Sequence, residues 1–186
     1  MKDKKEFNVI IAGYGGQGII TLADIIARAA FLSGFDVKQA ELHGLAQRGG
    51  SLQIHVRFGK KIYSSLIMKG KADLIIALDA LEALRACEFA NKNTKIVVNK
   101  KIFRLDNLKK ILKRIKKYGE VYDVDADKIV EEITGNVTST NIFILGYTVL
   151  KKFLPLKKET VLKAMEEKIR PEFIAENREV FRKALK

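Results

Sequence analysis

The stretch of sequence that decides the fold is FNVIIAGYGGQGIITLADIIARAAFLSG, residues 7–34. It begins with a short apolar run, 7–12, passes through a glycine cluster, and then carries apolar residues three and four positions apart as far as Ser33. The first pattern predicts a buried strand, and the second predicts an amphipathic helix that ends at Gly34. A strand, a glycine turn and a helix together form the first half of a βαβ unit.

The same alternation of short apolar runs and helical patterns continues along the chain. Further strands are predicted over residues 35–42, 72–78, 95–99 and 120–124, and helices over 80–89, 100–117, 125–134, 140–153, 157–169 and 171–185. Asp79 stands where it can cap the second helix. We therefore predict an α/β fold in one domain, residues 1–186: a Rossmann-like, mostly parallel sheet flanked by helices, with a helical C-terminal segment.

One region departs from this alternation. Residues 51–58 place apolar side chains at every second position, with Gln53, His55 and Arg57 between them, which predicts a half-exposed strand. Gly59 and Lys60 then predict a tight turn into a strand over 61–67. The sequence thus predicts an antiparallel hairpin inserted into the parallel sheet.

Composition narrows the functional class. The chain has 186 residues, 47% of them hydrophobic, which excludes a disordered or collagen-like protein. Its single cysteine, Cys87, excludes an internal disulfide and any all-cysteine zinc or iron–sulfur site. His43 and His55 are the only histidines, so no metal site is predicted. Without an apolar run of membrane-spanning length, a cytoplasmic protein that does not bind membranes is expected.

The glycine cluster GYGGQG has two interpretations. Gly13, Gly15 and Gly18 follow the G-x-G-x-x-G order of dinucleotide-binding loops, in which the first glycine makes the turn, the second admits a phosphate and the third lets helix and strand pack closely. Glu41 then stands near the position of a ribose-binding acid. Glycines at a βα turn also serve packing alone, so the motif leaves both an NAD-binding oxidoreductase and a domain without nucleotide open.

A second loop, residues 43–50, gathers polar donors beside glycines: His43, Gln47, Arg48, Gly49 and Gly50. Loops at the carboxyl ends of strands face the ligand crevice of an open α/β sheet. Arg48 could clamp a carboxylate or phosphate in a bidentate fork. It could equally pair with a neighbouring acid such as Glu41 and only shape the turn.

Taken together, three segments carry a family resemblance: GYGGQGI near the start, ELHGLAQRGGSLQIHVRFG after it, and TSTNIFILG near the carboxyl end. The chain resembles, over almost its whole length, the gamma-type subunit of the 2-oxoacid:ferredoxin oxidoreductases. The HGxAQRGG form of the second loop is most similar to that of the small (beta) subunit of indolepyruvate ferredoxin oxidoreductases. The resemblance implies an accessory subunit of a complex that oxidatively decarboxylates indolepyruvate, or another aryl pyruvate, to an acyl-CoA and reduces ferredoxin.

The resemblance also implies which molecules the complex uses. Thiamine diphosphate, coenzyme A and [4Fe–4S] clusters would be held mainly by a large catalytic partner subunit, and no cofactor is assigned to this chain alone. No catalytic acid, base or nucleophile is assigned here either. The family's loops fall on residues expected to line an interface or ligand crevice: Gly13, Gly15, Gly16, Gln17, Gly18, His43, Gly44, Gln47, Arg48, Gly49, Gly50, Asn141 and Gly146.

The positive charge permits one further alternative. Nine Lys and Arg residues lie within 100–117, around an apolar stripe, and the whole chain has a net charge of +13. A basic helix can contact nucleic acid through phosphates, but aromatic interleaving and a recognisable nucleic-acid motif are missing from this sequence. A solvated face is favoured over a nucleic-acid partner. Attraction of acidic ferredoxin or of coenzyme A phosphates is a further hypothesis.

Overall fold

The computed structural model describes residues 6–44, 50–101 and 107–185, and within them a six-stranded sheet flanked by helices. The strands are β1 (Glu6–Tyr14), β2 (Asp36–His43), β3 (Ser51–Gly59), β4 (Leu74–Ala77), β5 (Lys95–Asn99) and β6 (Glu120–Val124). The helices are α1 (Ile19–Leu32), α2 (Ala80–Ala86), α3 (Leu108–Ile115), α4 (Ala126–Thr134), α5 (Thr140–Leu150), α6 (Lys158–Lys168) and α7 (Pro171–Ala184). A 3₁₀ turn, Cys87–Phe89, extends α2.

The strand order is β2-β3-β1-β4-β5-β6. Strands β1, β4, β5 and β6 pair in parallel, whereas β3 pairs antiparallel with both β1 and β2. The predicted α/β class and the mostly parallel sheet with an antiparallel insertion are therefore confirmed. The carboxyl ends of the parallel strands share one edge, on which the loops after β1, β4 and β5 lie.

Two apolar layers hold the sheet. One face, which includes Ile11 of β1 and Ile54 of β3, packs on α1 and α5, and α4, α6 and α7 pack in turn on these two helices. The other face, which includes Ile10 of β1 and Ile75 of β4, packs on α2 and α3. The central strands are apolar throughout because neighbouring side chains enter opposite layers.

Local signals explain the helix ends. Gly34 adopts a φ of 85° after α1, and its N–H donates to the carbonyl of Phe31 at 2.9 Å. The Asp79 carboxylate accepts from the backbone N–H of Leu81 at 2.7 Å, which confirms the predicted cap of α2. Pro171 occupies the first turn of α7, where its missing N–H costs nothing.

The antiparallel hairpin forms one strand earlier in the chain than predicted. Residues 61–67 do not form a strand; the antiparallel partner of β3 in the hairpin is β2, and residues 43–50 connect the two. The second face of β3 is also not solvated as predicted. His55 is 1% exposed because residues 60–70 and Phe89 cover it.

Candidate functional site

The glycine loop lies at the carboxyl end of β1, beside the end of β4. Gln17 folds back over it: the Gln17 Oε1 atom accepts from the N–H of Tyr14 at 2.7 Å, and Nε2 donates to the carbonyl of Leu78 at 3.2 Å. A Cβ on Gly13 would lie 2.6 Å from that Oε1 atom. Gly13 is thus the last but one residue of β1 and makes room for Gln17; the prediction that it makes the turn is wrong.

Gly15, Gly16 and Gly18 differ in what surrounds them. A Cβ on Gly15 or Gly16 would meet nothing within 4 Å, although Gly16 has a φ of 93°. Gly18 has a φ of 71°, and a Cβ there would collide with the side-chain amide of Asn141. The missing side chain at Gly18 therefore leaves room for Asn141 of α5. The dinucleotide motif instead predicts that this glycine lets α1 pack closely on β1.

Asn141 joins the third sequence segment to the first. Its Nδ2 atom donates to the carbonyl of Gly18 at 3.0 Å, and its side chain is buried. Gly146, expected at the same site, lies between α5 and α7, where a Cβ would be 2.8 Å from that of Ala184. Asn141 thus supports the glycine loop, whereas the prediction that Gly146 lines a crevice is wrong because its role is helix packing.

The second loop begins and ends beside the glycine loop. The N–H of Gly44 donates to the carbonyl of Ser51 at 2.9 Å, and the N–H of Gly15 donates to the carbonyl of Gly50 at 3.3 Å. Gln47, Arg48 and Gly49 lie outside the described residues. The anchors nonetheless bring both ends of the loop to the carboxyl edge of the sheet.

His43 and Glu41 form a separate exposed pair at the end of β2, with His43 Nε2 3.2 Å from Glu41 Oε2. Because β3 lies between β2 and β1, the two strands are two spacings apart, roughly 9–10 Å. The prediction that Glu41 takes the ribose-binding position therefore does not hold, since that position requires a β2 strand directly beside β1.

A buried carboxylate that the sequence analysis missed lies at the centre of this edge. Glu82 is 2% exposed and accepts hydrogen bonds from the Ser51 hydroxyl, the Arg85 guanidinium and the Tyr14 hydroxyl. The Asp79-x-x-Glu82 spacing of a capping box was available as a signal, but it predicts a role only within the helix. The contact with Ser51 depends on β3 lying beside β1, which local spacing does not encode.

The carboxylates of this cluster determine the protonation state of the Tyr14 hydroxyl. Burial, the hydrogen bond to Glu82 and the nearby carboxylates of Glu82 and Asp79 raise the pKa of Tyr14 to about 12. Its hydroxyl therefore stays protonated at neutral pH and donates its single proton to Glu82. Arg85 keeps 53% of its side chain exposed, so its guanidinium is available to an anion approaching the edge.

A second polar cluster lies at the end of β5. Asp127 accepts from Asn99 Nδ2 at 2.8 Å, from Lys101 Nζ at 2.6 Å and from the Thr140 hydroxyl at 3.0 Å. It thereby ties β5, α4 and the start of α5 together. Because Thr140 precedes Asn141, this network also fixes the residue that supports the glycine loop.

Other side chains proposed from sequence lie away from this edge or are inert. Cys87 is 2% exposed, and burial raises the pKa of its thiol to about 12, which confirms a core residue. Among residues 6–44, 50–101 and 107–185, His, Cys, Asp and Glu form no group of three that could hold a metal ion. No helix in those ranges is long and apolar enough to cross a membrane.

The basic helix is shorter than predicted and strongly one-sided. α3 buries Ile111 and Ile115 against the sheet and exposes cations that make no ion pair with another described residue: Lys109, Lys110, Lys113, Arg114, Lys116 and Lys117. Residues 102–106 of the predicted helix lie outside the described ranges. At the carboxyl edge itself, the half-exposed guanidinium of Arg85 lies beside Glu82, where it can bind and orient an anionic group.

The comparisons with known proteins all indicate the same family. A family model described as pyruvate ferredoxin/flavodoxin oxidoreductase matches residues 8–186. An indolepyruvate oxidoreductase subunit IorB from Archaeoglobus fulgidus is 38% identical over 90% of this chain and 88% of its own length. The pyruvate/ketoisovalerate oxidoreductases common subunit gamma from Pyrococcus furiosus is 30% identical over 92% of this chain and 91% of its own.

Solved structures share the fold. The pyruvate oxidoreductase subunit PORC from Thermotoga maritima has a TM-score of 0.75 at 20% identity, with 98% of this chain and 96% of that one covered. A 2-oxoglutarate:ferredoxin oxidoreductase from Magnetococcus marinus has a TM-score of 0.79 at 23% identity. There the match covers 98% of this chain but 31% of that chain, so the same fold occurs within a longer polypeptide.

Proposed function

Since the chain belongs to the pyruvate ferredoxin/flavodoxin oxidoreductase family and is an accessory subunit of an oxidoreductase complex, we propose that the complex is a thiamine diphosphate-dependent indolepyruvate:ferredoxin oxidoreductase. In this proposal residues 1–186 are one gamma-type domain bound to a larger catalytic subunit. The overall reaction converts an aryl pyruvate, coenzyme A and two oxidised ferredoxins into an acyl-CoA, carbon dioxide, a proton and two reduced ferredoxins.

The observation that carries the proposal is the meeting of three separate segments, two loops and the start of α5, at one edge of the sheet. Gly15 bonds to Gly50 of the second loop, and Asn141 of the third segment bonds to Gly18. These are the segments that resemble the family. Their convergence supports an edge built to bind and orient, with Arg48 and Gln47 on the loop that Gly50 anchors.

The chain's own groups do not fit the complex's cofactors. A cluster needs several thiolates, whereas Cys87 is the sole cysteine and its thiol donates to the carbonyl of Ala83 within α2. We therefore assign thiamine diphosphate and the iron–sulfur clusters to the larger subunit. When bound there, thiamine diphosphate supplies the electron sink for decarboxylation.

In this proposal the chain positions the reacting molecules and does not react with them. Glu82 holds Ser51 and Arg85, and Gly50 is held by Gly15, so the second loop leaves from a fixed base. Anchoring the two ends of a loop reduces the conformational freedom that the loop loses when it contacts a ligand. The loop thus orients a bound 2-oxoacid or coenzyme A and shields the reacting atoms from water.

We infer the substrate class from the names of the similar proteins. Four relatives named for indolepyruvate are 30–38% identical to this chain, and four named for pyruvate and ketoisovalerate are 29–31% identical, so the highest identities belong to the indolepyruvate group. On this basis aryl pyruvates should be preferred over pyruvate and branched 2-oxoacids.

The test is an anaerobic purification of the tagged chain from its native host, followed by an assay of the complex. Recovery with a large, cysteine-rich, thiamine-binding subunit, and coenzyme A-dependent ferredoxin reduction fastest with indolepyruvate, would support the proposal. Equal or faster turnover of pyruvate would overturn the substrate assignment. Recovery of the chain alone, with tight binding of NAD or of duplex DNA, would favour one of the alternatives left open by the sequence.

A further inference from the structure

The segment between β3 and β4, residues 60–70, exposes an unusual amount of apolar surface. We name these residues the strap. Tyr63 is 82% exposed, Leu66 50% and Met68 69%. Large apolar side chains scattered singly over a surface are ordinary, whereas a contiguous group marks an interaction site.

The strap does not need these three side chains to hold its place. Ile62 and Ile67 supply its buried contacts, with exposures of 3% and 4%. Tyr63, Leu66 and Met68 point away from the molecule and add little to folding. Their apolar surface gains free energy only if something else covers it.

Polar contacts hold the strap backbone in one shape. The N–H of Ile67 donates to Nδ1 of His55 at 3.0 Å. The Arg57 guanidinium donates to the carbonyls of Ser64 and Leu66 at 2.9 and 3.0 Å. Three apolar side chains are thus presented on a fixed backbone, and such preorganisation lowers the entropic cost of binding.

Another exposed apolar side chain lies on the edge strand of the sheet, on the face that the strap covers. Leu42 of β2, 41% exposed, is the register partner of Gln53 of β3. The side chains of Gln53 and His55 contact each other, so Leu42 lies on the face of the sheet that the strap crosses. A partner on the strap would therefore reach this edge as well.

Exposed lysines stand at both ends of the strap. Lys60, Lys61, Lys69 and Lys71 are exposed, and residues 60–71 contain no Asp or Glu. Lys69 pairs with Glu88 at 2.8 Å, while Nζ of Lys61 lies 5.1 Å from the ring centroid of Tyr63. A complementary surface must therefore be apolar at its centre and acidic at its rim.

We propose that the strap patch, Tyr63, Leu66 and Met68, is the docking surface for the larger catalytic subunit, which meets it with an apolar surface rimmed by Asp and Glu. This rests on the proposed function. The charge argues against a second copy of this chain as the occupant. A twofold contact would bring together two copies of a segment that contains lysines but no Asp or Glu, and like charges across an interface are costly.

The experiment compares assembly of variants with the larger subunit, co-produced anaerobically. The patch variant is Tyr63→Ser, Leu66→Ser, Met68→Ser. The matched control is Phe31→Ser, Val137→Ser, Phe173→Ser, which removes exposed apolar side chains elsewhere. Because all six side chains are exposed, both variants should keep the wild-type melting temperature. We expect the patch variant to bind the larger subunit about 100-fold more weakly, and the control to change affinity less than about threefold.

Substitution of the lysines provides an independent test. Lys60→Glu, Lys61→Glu, Lys71→Glu should weaken binding and reduce its dependence on salt, because the attraction to an acidic rim is lost. If the patch variant assembles as tightly as wild type, or only loses a self-dimer seen for wild type, the docking proposal is overturned while the proposed function stands. If the wild-type chain itself does not assemble with the larger subunit, the proposed function fails and the docking proposal fails with it.

Discussion

The backbone N–H of Gly15 donates a hydrogen bond to the carbonyl oxygen of Gly50 across 3.3 Å. This bond joins the glycine loop after β1 to the end of the loop that precedes β3. It places the second loop at the carboxyl edge, where open α/β sheets bind ligands.

Arg48→Ala should impair turnover far more than folding. If the side chain contacts an anionic substrate or coenzyme A, its loss should lower kcat/KM of the complex by about 10- to 100-fold, the value of a charged hydrogen bond. The melting temperature of the chain should stay within about 2 °C. Arg178→Ala, on exposed α7, is the matched control. Equal loss of stability and turnover would assign Arg48 a structural role.

Glu82→Gln should destabilise the chain by about 2–3 kcal/mol in urea unfolding. The amide loses the charge that Arg85 pairs with, and its NH₂ group cannot accept a hydrogen bond from Ser51 or Tyr14. The control is Glu172→Gln, whose carboxylate is 55% exposed, and it should change stability by less than about 0.5 kcal/mol. A Glu82 variant as stable as the control would contradict the supporting role given to this carboxylate.

Alanine at Gly15 and at Gly18 should have different effects. Gly18→Ala places a methyl group against Asn141 at a positive φ, so a loss of about 2–3 kcal/mol in the free energy of unfolding is expected. Gly15→Ala meets open space and should be nearly neutral for stability. If that space faces a ligand or partner, Gly15→Ala will still lower turnover of the complex. Stability losses of equal size would contradict the structure of the loop.

Stability should fall in mild acid because of His55. Burial, with the neighbouring Arg57 charge, lowers the pKa of His55 to about 4 from 6.5. The unfolded chain therefore takes up a proton between pH 6.5 and 4 that the folded chain does not, and unfolding becomes easier by about 3 kcal/mol as the pH falls through that window.

His55→Gln isolates this effect, because it keeps an acceptor for the N–H of Ile67 but does not titrate. Urea unfolding of both proteins at several pH values between 7 and 4 should show a steeper loss for wild type. Parallel pH dependences would mean that His55 does not carry the difference.

Neutralising the α3 cations should change electron transfer if this face attracts an acidic partner. With Lys109, Lys110, Lys113 and Lys116 changed to Gln, ferredoxin reduction by the complex should slow and become less sensitive to salt. Lys157, Lys158, Lys163 and Lys168, which are exposed on α6 and at its N-terminal end, changed to Gln, provide a control that removes the same four charges. Unchanged salt dependence would leave α3 as a solvated face.

Predictions from the sequence were most accurate where neighbouring residues decide the structure. The bounds of β5 and β6, the Asp79 cap and the stop at Gly34 were all predicted from local periodicity and capping. It failed on the hairpin, because the apolar residues of the strap resemble those of a strand although only Ile62 and Ile67 are buried.

For the candidate site, too, some features follow from the sequence and others only from the tertiary structure. The sequence alone determined the fold class, through its strand and helix periodicities, and the three loop segments that carry the family resemblance. Only the tertiary structure decided the position of β3 between β2 and β1, the burial of Glu82 against Ser51, and the contact of Asn141 with Gly18, 123 positions away. Periodicity reports which face of an element is apolar, whereas polar contacts between distant segments depend on how those elements pack against one another.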